Sequence, residues 1–358
     1  MALDRIALSH FRNHRQTELR GTARFNLLVG DNGAGKTNIL EALSLLAPGR
    51  GLRRAALPEL PGPGGTGGFQ IGASLIEQEH ESARIGTMVD PARPGRRIVR
   101  VNGGEASAQS LSEWLAMGWL TPAMDGLFMD SAGARRRYMD RLALAVDPGH
   151  ARHVSRFEAA LRERNKLLEE RSDTTWLDAI EAQLAEHGAA VAAGRSALVA
   201  ALADELTALP DQPFAKPILT YRPGGPTLRE DMRAELARQR SRDRAAGRTL
   251  AGPHRDELEV VMAGSGQPAS SCSTGEQKAM LIALTLAHAA LASEGRPGVL
   301  LLDEVAAHLD PLRRAALFER LRRGRAQVWL TGTEPAPFEE LLGEAAVWRV
   351  RSGTVERV

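Results

Sequence analysis

The sequence is poor in cysteine, in aromatic residues and in long apolar runs, and each shortage excludes a class of protein. Cys272 is the only cysteine among 358 residues, which rules out an internal disulfide and favours the reducing cytoplasm. No uninterrupted apolar run is long enough to span a membrane, and the N-terminus lacks the basic-then-apolar pattern of a signal peptide. We therefore expect a cytoplasmic protein without a membrane partner. Aromatic residues make up only 4% of the chain, so stacking on single-stranded bases is not favoured.

Lysine is also scarce, since only four of the 46 basic residues are lysines. The formal net charge is +2, so no strong overall field marks a nucleic-acid-binding protein. Arginine nevertheless clusters in local runs, which indicate either solvated helix faces or contacts to the phosphates of duplex DNA. These runs lie at residues 93–100, 135–141, 152–164 and 229–248.

A glycine-rich loop near the N-terminus carries the clearest chemistry. It follows an apolar run, residues 25–29, and precedes a predicted helix over residues 38–46. Glycines let backbone N–H groups approach a triphosphate, and the start of the helix adds a favourable dipole. Lys36 is expected to reach the β- and γ-phosphates of ATP, and the Thr37 hydroxyl to bind Mg²⁺. A glycine-rich turn that binds nothing is the less favoured interpretation. The candidate nucleotide-binding residues of this segment are Gly30, Asp31, Asn32, Gly33, Ala34, Gly35, Lys36, Thr37 and Asn38.

A second apolar run, residues 299–302, ends at Asp303 and Glu304. Ligands of open α/β sheets bind at the carboxyl ends of the strands, so we expect both side chains at the nucleotide. Asp303 is predicted to hold Mg²⁺ directly or through water, and Glu304 to orient and partly deprotonate the attacking water. Two acids at a strand end can also be an ordinary exit to a loop, but the glycine-rich loop makes that reading the weaker one. With Lys36, they form the predicted catalytic set.

A short polar segment, Ser-Thr-Gly-Glu-Gln at residues 273–277, precedes the acidic strand and opens a predicted helix. A helix start with free N–H groups is an anion site, yet the phosphates of its own chain are already assigned to the glycine-rich loop. We therefore interpret the segment as a signature that contacts the γ-phosphate bound to a second chain, in a two-fold dimer with ATP in the interface. The contacts are predicted from Ser273, Gly275 and Gln277. The neighbouring Cys272 is either a reactive thiol or, as we expect, a small buried residue.

The order of these motifs predicts the fold class. Most of the chain separates the glycine-rich loop from the acidic strand, whereas simple P-loop enzymes bring the two close together in sequence. The order is typical of an α/β, ABC-type P-loop ATPase head with an inserted helical arm domain. We predict the N-terminal part of the head over residues 1–116, the helical arm over residues 117–242 and the C-terminal part of the head over residues 243–358.

Local patterns predict some of the elements inside these parts. Short strands separated by glycine- and proline-rich turns are predicted at residues 70–76, 83–89 and 97–101. In the arm, apolar residues at helical spacing predict helices that turn one face to a core. The markers are Phe157, Leu161 and Leu168 in one helix and Trp176, Ile180, Leu184 and Val191 in the next. A later strand, residues 327–330, leads to Thr331 and Thr333, the candidates for a γ-phosphate sensor.

Together these motifs resemble those of the RecF family of bacterial replication and recombinational repair proteins. The resemblance covers nearly the whole chain and includes Phe-Arg-Asn at residues 11–13 and Arg-Arg-Arg-Tyr-Met-Asp at residues 135–140. The run Gly-Pro-His-Arg-Asp at residues 252–256 is the most specific part, since generic ABC heads lack it. The signature departs from the Ser-Gln-Gly-Gln-Gln-Arg that is common in the family. The resemblance adds Arg12 and Asp310 to the predicted nucleotide-binding residues.

The resemblance implies a protein that uses ATP and Mg²⁺ to switch its hold on DNA. It implies an ATP-dependent homodimer on duplex DNA near single-strand gaps, weak ATP hydrolysis, cooperation with RecR and RecO in loading RecA, and a role in the SOS response. Two other interpretations stay open. One is the nucleotide-binding subunit of an ABC transporter, and the other is an ATP-gated scaffold that does not hydrolyse ATP.

Overall fold

The computed structural model of the chain describes residues 3–64, 67–77, 80–170, 173–210, 212–306 and 309–358. In chain order the strands are β1 (Leu3–Phe11), β2 (His14–Leu19), β3 (Phe25–Val29), β4 (Phe69–Glu77), β5 (His80–Val89), β6 (Arg97–Val101), β7 (Gly104–Ala106), β8 (Ala116–Leu120), β9 (Pro217–Arg222), β10 (Glu257–Met262), β11 (Gly298–Leu302), β12 (Gln327–Gly332), β13 (Ala345–Arg351) and β14 (Thr354–Arg357). The helices are α1 (Lys36–Ser44), α2 (Leu111–Trp114), α3 (Ala132–Val146), α4 (His150–Glu169), α5 (Thr174–Ala208), α6 (Arg229–Arg238), α7 (Arg240–Ala246), α8 (Thr274–Ala292) and α9 (Pro311–Arg323).

An antiparallel sheet with the strand order β2-β1-β4-β5-β6-β7 occupies the N-terminal part of the chain. Buried and more exposed residues alternate along β1, as expected for a sheet with one face on a core. The strands predicted at residues 70–76, 83–89 and 97–101 are confirmed as β4, β5 and β6. Strands β1 and β2 add a hairpin at the edge of this sheet.

A second sheet has the order β14-β13-β3-β12-β11-β8, and its strands from β13 to β8 run parallel. Every residue of β3 and of β11 is buried, which is typical of parallel strands covered on both faces. The expected helical structure from Met117 onward is wrong at its start, because Ala116–Leu120 is β8 and pairs along β11. Periodicity alone cannot distinguish a short buried strand from a helix segment in such an apolar run.

Helix α1 belongs to the hydrophobic core that also contains residues from both sheets. Ile39, Leu40 and Leu43 of α1 are fully buried in a cluster that includes Leu8 of β1 and Trp329 of β12. This packing fixes the helix that starts at the glycine-rich loop. The loop is therefore anchored at both ends, by β3 before it and by α1 after it.

The chain forms two compact units. The first comprises Met1–Asp125, Gln212–Phe214 and Leu284–Val358, and the second comprises Gly126–Asp211 and Ala215–Ala283. These divisions differ from the predicted domain boundaries at residues 116 and 242, which stay predictions. Among the described helices, none combines the length and the apolar character that crossing a membrane requires.

The second unit has a core of its own between α4, α5 and α6. Phe157, Leu184 and Val191 are buried in it, together with Met232. The predicted apolar stripes are confirmed at these positions. Trp176 is the exception, since 69% of its surface is exposed. It lies in the first turn of α5, where the helix begins.

Candidate nucleotide-binding site

Three neighbouring parallel strands of the first unit end at the same edge of the sheet. Strand β3 leads into Gly30, β11 leads into Asp303, and β12, which lies between them, contains Thr331 close to its end. The Gly30 N–H donates to the Gly332 carbonyl at 3.3 Å. The topology therefore brings together the predicted phosphate loop, the predicted acidic pair and a predicted sensor residue.

Close packing requires glycine at two positions of the loop. A Cβ atom at Gly30 would lie 2.1 Å from the Val350 carbonyl oxygen. Gly35 has a φ of 117°, and a Cβ atom there would lie 2.8 Å from His14 Nε2. The tip of the loop, from Asp31 to Gly33, is exposed. The loop is thus held tightly at its two ends and is open to a ligand at its tip.

Lys36 is buried at the start of α1, and its ammonium group bends back over the loop. Lys36 Nζ donates to the Gly30 carbonyl at 2.6 Å and to the Asp31 carbonyl at 2.9 Å. Burial lowers the pKa of Lys36, while nearby carboxylates, first that of Glu304, act in the opposite direction. Helix α1 has no acidic residue in its first turn and no side-chain cap. Its N-terminus therefore favours an anionic ligand such as a phosphate group.

The Asp303 carboxylate lies between two threonine hydroxyl groups. Asp303 Oδ1 accepts from Thr37 Oγ1 at 3.0 Å and from Thr331 Oγ1 at 2.9 Å. Burial raises the pKa of Asp303, because it disfavours the charged carboxylate, and the two hydroxyl bonds act in the opposite direction. A buried carboxylate beside a hydroxyl oxygen suits a divalent cation with oxygen ligands. Thr37 and Asp303 are therefore the residues that would hold Mg²⁺.

No group of three or more histidine, cysteine or acidic side chains in a metal-binding arrangement occurs among the described residues. Mg²⁺ in phosphoryl-transfer sites usually completes its octahedral shell with water and phosphate oxygens. The donor set at Thr37 and Asp303 fits that pattern.

Glu304 adopts an unusual backbone conformation beside this carboxylate. Its φ is 53°, in the left-handed region that few residues other than glycine occupy. Its N–H donates to Thr331 Oγ1 at 2.8 Å, so the hydroxyl of Thr331 bonds to both predicted acidic residues. Strained backbone at a chemically active residue is often a functional feature. Thr331 is thus placed as the residue that fixes the acidic pair.

Arg12 and Asn38 belong to a group of hydrogen-bonded side chains that also contains Asn13, Glu41 and Arg53. Arg12 donates to Glu41 through Nε at 2.9 Å and Nη2 at 2.7 Å. Asn38 donates to Asn13 Oδ1 at 2.7 Å and accepts from Arg53 Nη1 at 2.5 Å. Arg53 also donates to Glu41 at 2.9 Å. The side-chain bond to Glu41 raises the pKa of the Arg12 guanidinium.

Glu41 and Arg53 were not among the predicted site residues. Glu41 is 1% exposed within an otherwise apolar stretch of α1. A buried carboxylate needs a paired cation, and this was the available signal in the sequence. Arg53 had no comparable signal, because its place near the site depends on the path of the loop after α1.

The signature segment belongs to the second unit and begins α8. Ser273 Oγ accepts from the Glu276 N–H at 3.3 Å, and Glu276 Oε2 accepts from the Ser273 N–H at 2.8 Å. This reciprocal capping box makes Ser273 the N-cap of α8. Ser273 and Gly275 are exposed, whereas Gln277 is 2% exposed and donates to the Cys272 carbonyl at 2.9 Å. Cys272 is buried, and burial raises the pKa of its thiol, so the expectation of a small buried residue is confirmed.

Asp310 lies at the start of α9 in the first unit. Its side chain accepts from the Arg313 N–H at 2.9 Å and caps the helix. The side chain is half-exposed, so it remains accessible to a ligand or a second chain. Its predicted contact to nucleotide stays a prediction.

The family-specific run at residues 252–256 organises ion pairs in the second unit. Asp256 is buried and accepts from Arg195 at 2.8 Å and from the Tyr221 hydroxyl at 2.5 Å. Desolvation and the bond to Asp256 raise the pKa of Tyr221 far above its usual value. In the neighbouring arginine run, Arg135 pairs with Glu257 at 2.6 Å. Part of the arginine content therefore holds the fold together and is not available to DNA.

The parallel sheet, the loop at its edge, the acidic pair after β11 and the adjoining antiparallel sheet define an ABC-type ATPase head. The family model described as RecF/RecN/SMC N terminal domain matches residues 2–354. A protein of Mesorhizobium japonicum named DNA replication and repair protein RecF is 46% identical over 368 residues, covering 99% of this chain and 97% of the relative. The protein of the same name from Brucella suis is 45% identical over 366 residues, covering 99% and 95%.

Solved structures show the same fold. The structure described as the recombination mediator protein RecF-ATP in the RecFOR pathway aligns with a TM-score of 0.87 at 23% identity, covering 100% of this chain and 97% of that one. The Smc head domain of Pyrococcus furiosus aligns with a TM-score of 0.55 at 16% identity, covering 100% and 96%. The chain belongs to the RecF family within the RecF/RecN/SMC group of ATPases.

Proposed function

We propose that this chain is an ATP-gated DNA-binding protein of DNA replication and recombinational repair. ATP binding pairs two copies, the pair holds duplex DNA near single-strand gaps, and slow hydrolysis releases it. The observation that carries the proposal is the 3.0 Å bond between Thr37 Oγ1 and Asp303 Oδ1. It joins two oxygen ligands of the kind Mg²⁺ prefers, 266 residues apart in the chain.

The residues of the first unit have distinct tasks on this proposal. Loop N–H groups and Lys36 bind the phosphates, and Thr37 with Asp303 holds Mg²⁺, which neutralises charge on the β- and γ-phosphates. Glu304 orients the attacking water and draws a proton from it. Thr331 keeps the acidic pair in place through its two hydrogen bonds.

A second copy completes the site through its signature. Ser273 and Gly275 are exposed at the start of α8. The capping box uses the Glu276 N–H, so the N–H groups of Thr274 and Gly275 are the ones that would meet an anion. In an isologous dimer, the N-terminus of α8 in each copy lies opposite the nucleotide bound to the other copy. This supports ATP as the bridge between two heads.

DNA contact is proposed for arginines that are exposed on the second unit. Arg152 and Arg156 are exposed on α4 and lie one turn apart, so they present two charges on the same face. Duplex phosphates are the expected targets. We also propose cooperation with RecR and RecO in loading RecA, support of the SOS response and a cytoplasmic location. Membership of the family supports this proposal, and the descriptions of the solved RecF structures place those proteins in the RecFOR pathway.

A non-hydrolysing ATP-gated scaffold is the closest alternative, since it shares every nucleotide contact and differs only in turnover. The presence of Glu304 beside Asp303 favours hydrolysis, because a scaffold does not need a general base. A transporter subunit is disfavoured by the full-length match to RecF proteins. Steady-state phosphate release from the purified protein separates hydrolysis from scaffolding.

The test of the proposal is the mass of the protein in solution. Light scattering after gel filtration should give a monomer without nucleotide and a dimer with Mg²⁺-ATP, and duplex DNA should elute only with the dimer. Lys36→Ala is the control that should stay monomeric, because it deletes the ammonium group that reaches the phosphates. Lys36→Arg should fail as well, since a guanidinium does not fit the place of Nζ. A mass that ignores ATP would refute the gating.

The dependence of DNA affinity on salt concentration is a second, independent test of DNA binding. Phosphate contacts release counterions, so log affinity should fall with log salt at a slope of about 0.9 for each neutralised phosphate. Arg152→Gln with Arg156→Gln should lower this slope by about 2 for each chain if both contact phosphates. An unchanged slope would move the DNA contact to another surface.

A further inference from the structure

Carbonyl groups of the glycine-rich loop accept hydrogen bonds from side chains and from the turn before β14. The Gly30 and Asp31 carbonyls accept from Lys36. The Ala34 carbonyl accepts from Asn13 Nδ2 at 2.9 Å and from the Gly353 N–H at 2.9 Å. Because a trans peptide holds its C=O and N–H on opposite sides, a donor that fixes a carbonyl also sets the direction of the N–H that follows it.

The Gly35 carbonyl is the last of these and has a side-chain donor of its own. It accepts the first bond of α1 from the Ile39 N–H at 3.2 Å. It also faces His14 Nε2 at 3.0 Å. A carbonyl can only accept, so Nε2 of His14 carries the proton. The peptide that His14 fixes is the one whose N–H belongs to Lys36.

His14 is held in this position from its other ring nitrogen. The side chain is fully buried, and Nδ1 lies 3.0 Å from Thr17 Oγ1. Thr17 Oγ1 also donates to the Gly353 carbonyl at 3.1 Å, so its single hydroxyl proton is shared between that carbonyl and His14 Nδ1. The turn between β1 and β2 and the turn between β13 and β14 thus meet behind the loop. Burial lowers the pKa of His14, in agreement with a neutral ring.

We propose that His14 is a positioning residue that orients the peptide between Gly35 and Lys36 so that the Lys36 N–H faces the bound phosphates. The proposal rests on nucleotide binding by the loop and adds a residue on β2 to that function. The Asn13 amide performs the same task for the preceding peptide, where the Gly353 N–H supports it. Among the described residues, the Gly35 carbonyl accepts from no backbone N–H of another strand that could replace His14.

The His14 ring lies so close to the loop that position 35 must be a glycine. A Cβ atom at Gly35 would lie 2.7 Å from the Asn13 amide and 2.8 Å from His14 Nε2. No larger residue fits there while the ring keeps its bond. Gly35 and His14 therefore depend on each other. The absence of a side chain at Gly35 leaves room for the His14 ring, and the Nε2–H of His14 holds the Gly35 carbonyl.

The test compares His14→Leu with His14→Gln. Leucine fills the space without a donor, whereas the glutamine amide can reach the Gly35 carbonyl from nearly the place of Nε2. Titration with ATP and, separately, with ADP should show that His14→Leu binds both about tenfold more weakly, and that His14→Gln stays within about threefold of wild type. The loss should be shared by ADP because loop N–H groups cradle the α- and β-phosphates.

Two results would overturn the proposal. One is a folded His14→Leu protein with wild-type affinity, and the other is a His14→Gln protein as weak as His14→Leu. A purely structural role would lower the melting temperature without changing the affinity of the folded protein. The proposed function is tested separately by ATP binding to the wild-type protein and to Lys36→Ala. If the wild type binds ATP and Lys36→Ala does not, the proposed function stands even if the role of His14 is refuted.

A second pair of variants covers the case in which His14→Leu does not fold. Thr17→Val removes the hydroxyl beside Nδ1 and leaves the loop untouched, and Thr17→Ser keeps the hydroxyl. ATP affinity should fall about threefold in Thr17→Val and stay at the wild-type value in Thr17→Ser. Equal affinity in both variants would overturn the role of His14.

Discussion

Asp303 is the residue on which burial and function make opposite demands. Its pKa is raised because the folded protein disfavours the charged carboxylate. A group of this kind contributes full stability below its unfolded pKa and loses it as the pH rises through the folded value. The nucleotide-free protein is therefore destabilised at neutral pH by the charge that a magnesium ion would use.

We predict that Asp303→Asn melts at a higher temperature than wild type at about pH 8 in the absence of nucleotide. Asparagine cannot ionise and keeps an oxygen that accepts from Thr37 and Thr331. The difference should shrink as the pH falls through the raised pKa of Asp303, because the aspartate then becomes neutral as well. Thermal melts across this range measure it, and each kcal/mol corresponds to about 2–4 °C. A variant that melts below wild type at the higher pH would contradict the assignment.

Glu304 is predicted to act in the chemical step and not in binding. Glu304→Gln keeps the size of the side chain but loses its basicity, so turnover should fall by about 10² or more while ATP still binds. The variant should accumulate as an ATP-bound dimer. Glu294→Gln is a matched control, since Glu294 is exposed beyond the opposite end of β11. Equal turnover in the two variants would remove Glu304 as the base.

The residues of this site differ in how far the sequence could reveal them. Lys36, Asp303 and Glu304 lie in contiguous motifs whose order predicts a nucleotide site. Thr331 was a candidate only as a γ-phosphate sensor, and its bonds to the acidic pair depend on the pairing of β11 with β12. His14 gave no signal at all, because its partner is a backbone carbonyl 21 residues away.

Helix α4 provides a second case in which sequence pattern and structure differ. Arg164 falls in an arginine run that was open to DNA contact, yet it is fully buried. It donates to Glu181 at 3.0 Å, to Asp243 at 2.8 Å and to the Leu236 carbonyl at 2.8 Å. These bonds tie α4 to α5, α6 and α7. An arginine used in this way is a structural part of the second unit.

We predict that Arg164→Met destabilises the second unit by about 3–5 kcal/mol, because it leaves two buried carboxylates with reduced compensation. The matched control is Arg162→Met, an exposed position on the same helix, which should change stability by about 0.5 kcal/mol or less. Urea unfolding followed by circular dichroism compares the two. Equal unfolding midpoints would show that the buried ion pairs do not hold the helices together.

Helices and strands were predicted best where the sequence has a clear periodicity of apolar residues or a single recognisable motif. The bounds of β3 and β6 agree with their predicted runs, since both are short apolar strands between clear turns. The stripe from Trp176 to Val191 was read as a core face throughout. Periodicity shows that one face of α5 is apolar, but it does not fix that face to the residue in the first turn. Leu177 is 1% exposed and takes the buried position there, whereas the neighbouring Trp176 is exposed.

The assembled molecule is predicted to form each nucleotide site from two chains. Ser273→Arg places a bulky charge at the start of α8 and leaves the loop and Asp303 untouched. The monomer should still bind ATP, while ATP-induced dimerisation and hydrolysis should disappear. Equilibrium binding and light scattering measure the two effects. A Ser273→Arg monomer that cannot bind ATP would show that the signature acts on its own chain.

Mixing the variants gives the matched control for this prediction. Ser273→Arg and Lys36→Ala are each expected to be inactive alone. A mixed dimer pairs the intact loop of the first variant with the intact signature of the second. Partial recovery of phosphate release in the mixture is the expected result, with a maximum when the two are present in equal amounts.

The position of β3 determines when the nucleotide site can exist at all. Its two neighbours in the sheet are β12 and β13, which the ribosome makes only after more than three hundred residues have followed the start. The Val350 carbonyl and Gly353, which hold the loop from behind, come later still. The strands and turns that surround the loop at residues 30–37 are therefore complete only near the end of translation. A chain interrupted before β12 lacks both neighbours of β3, so we expect its loop not to bind ATP.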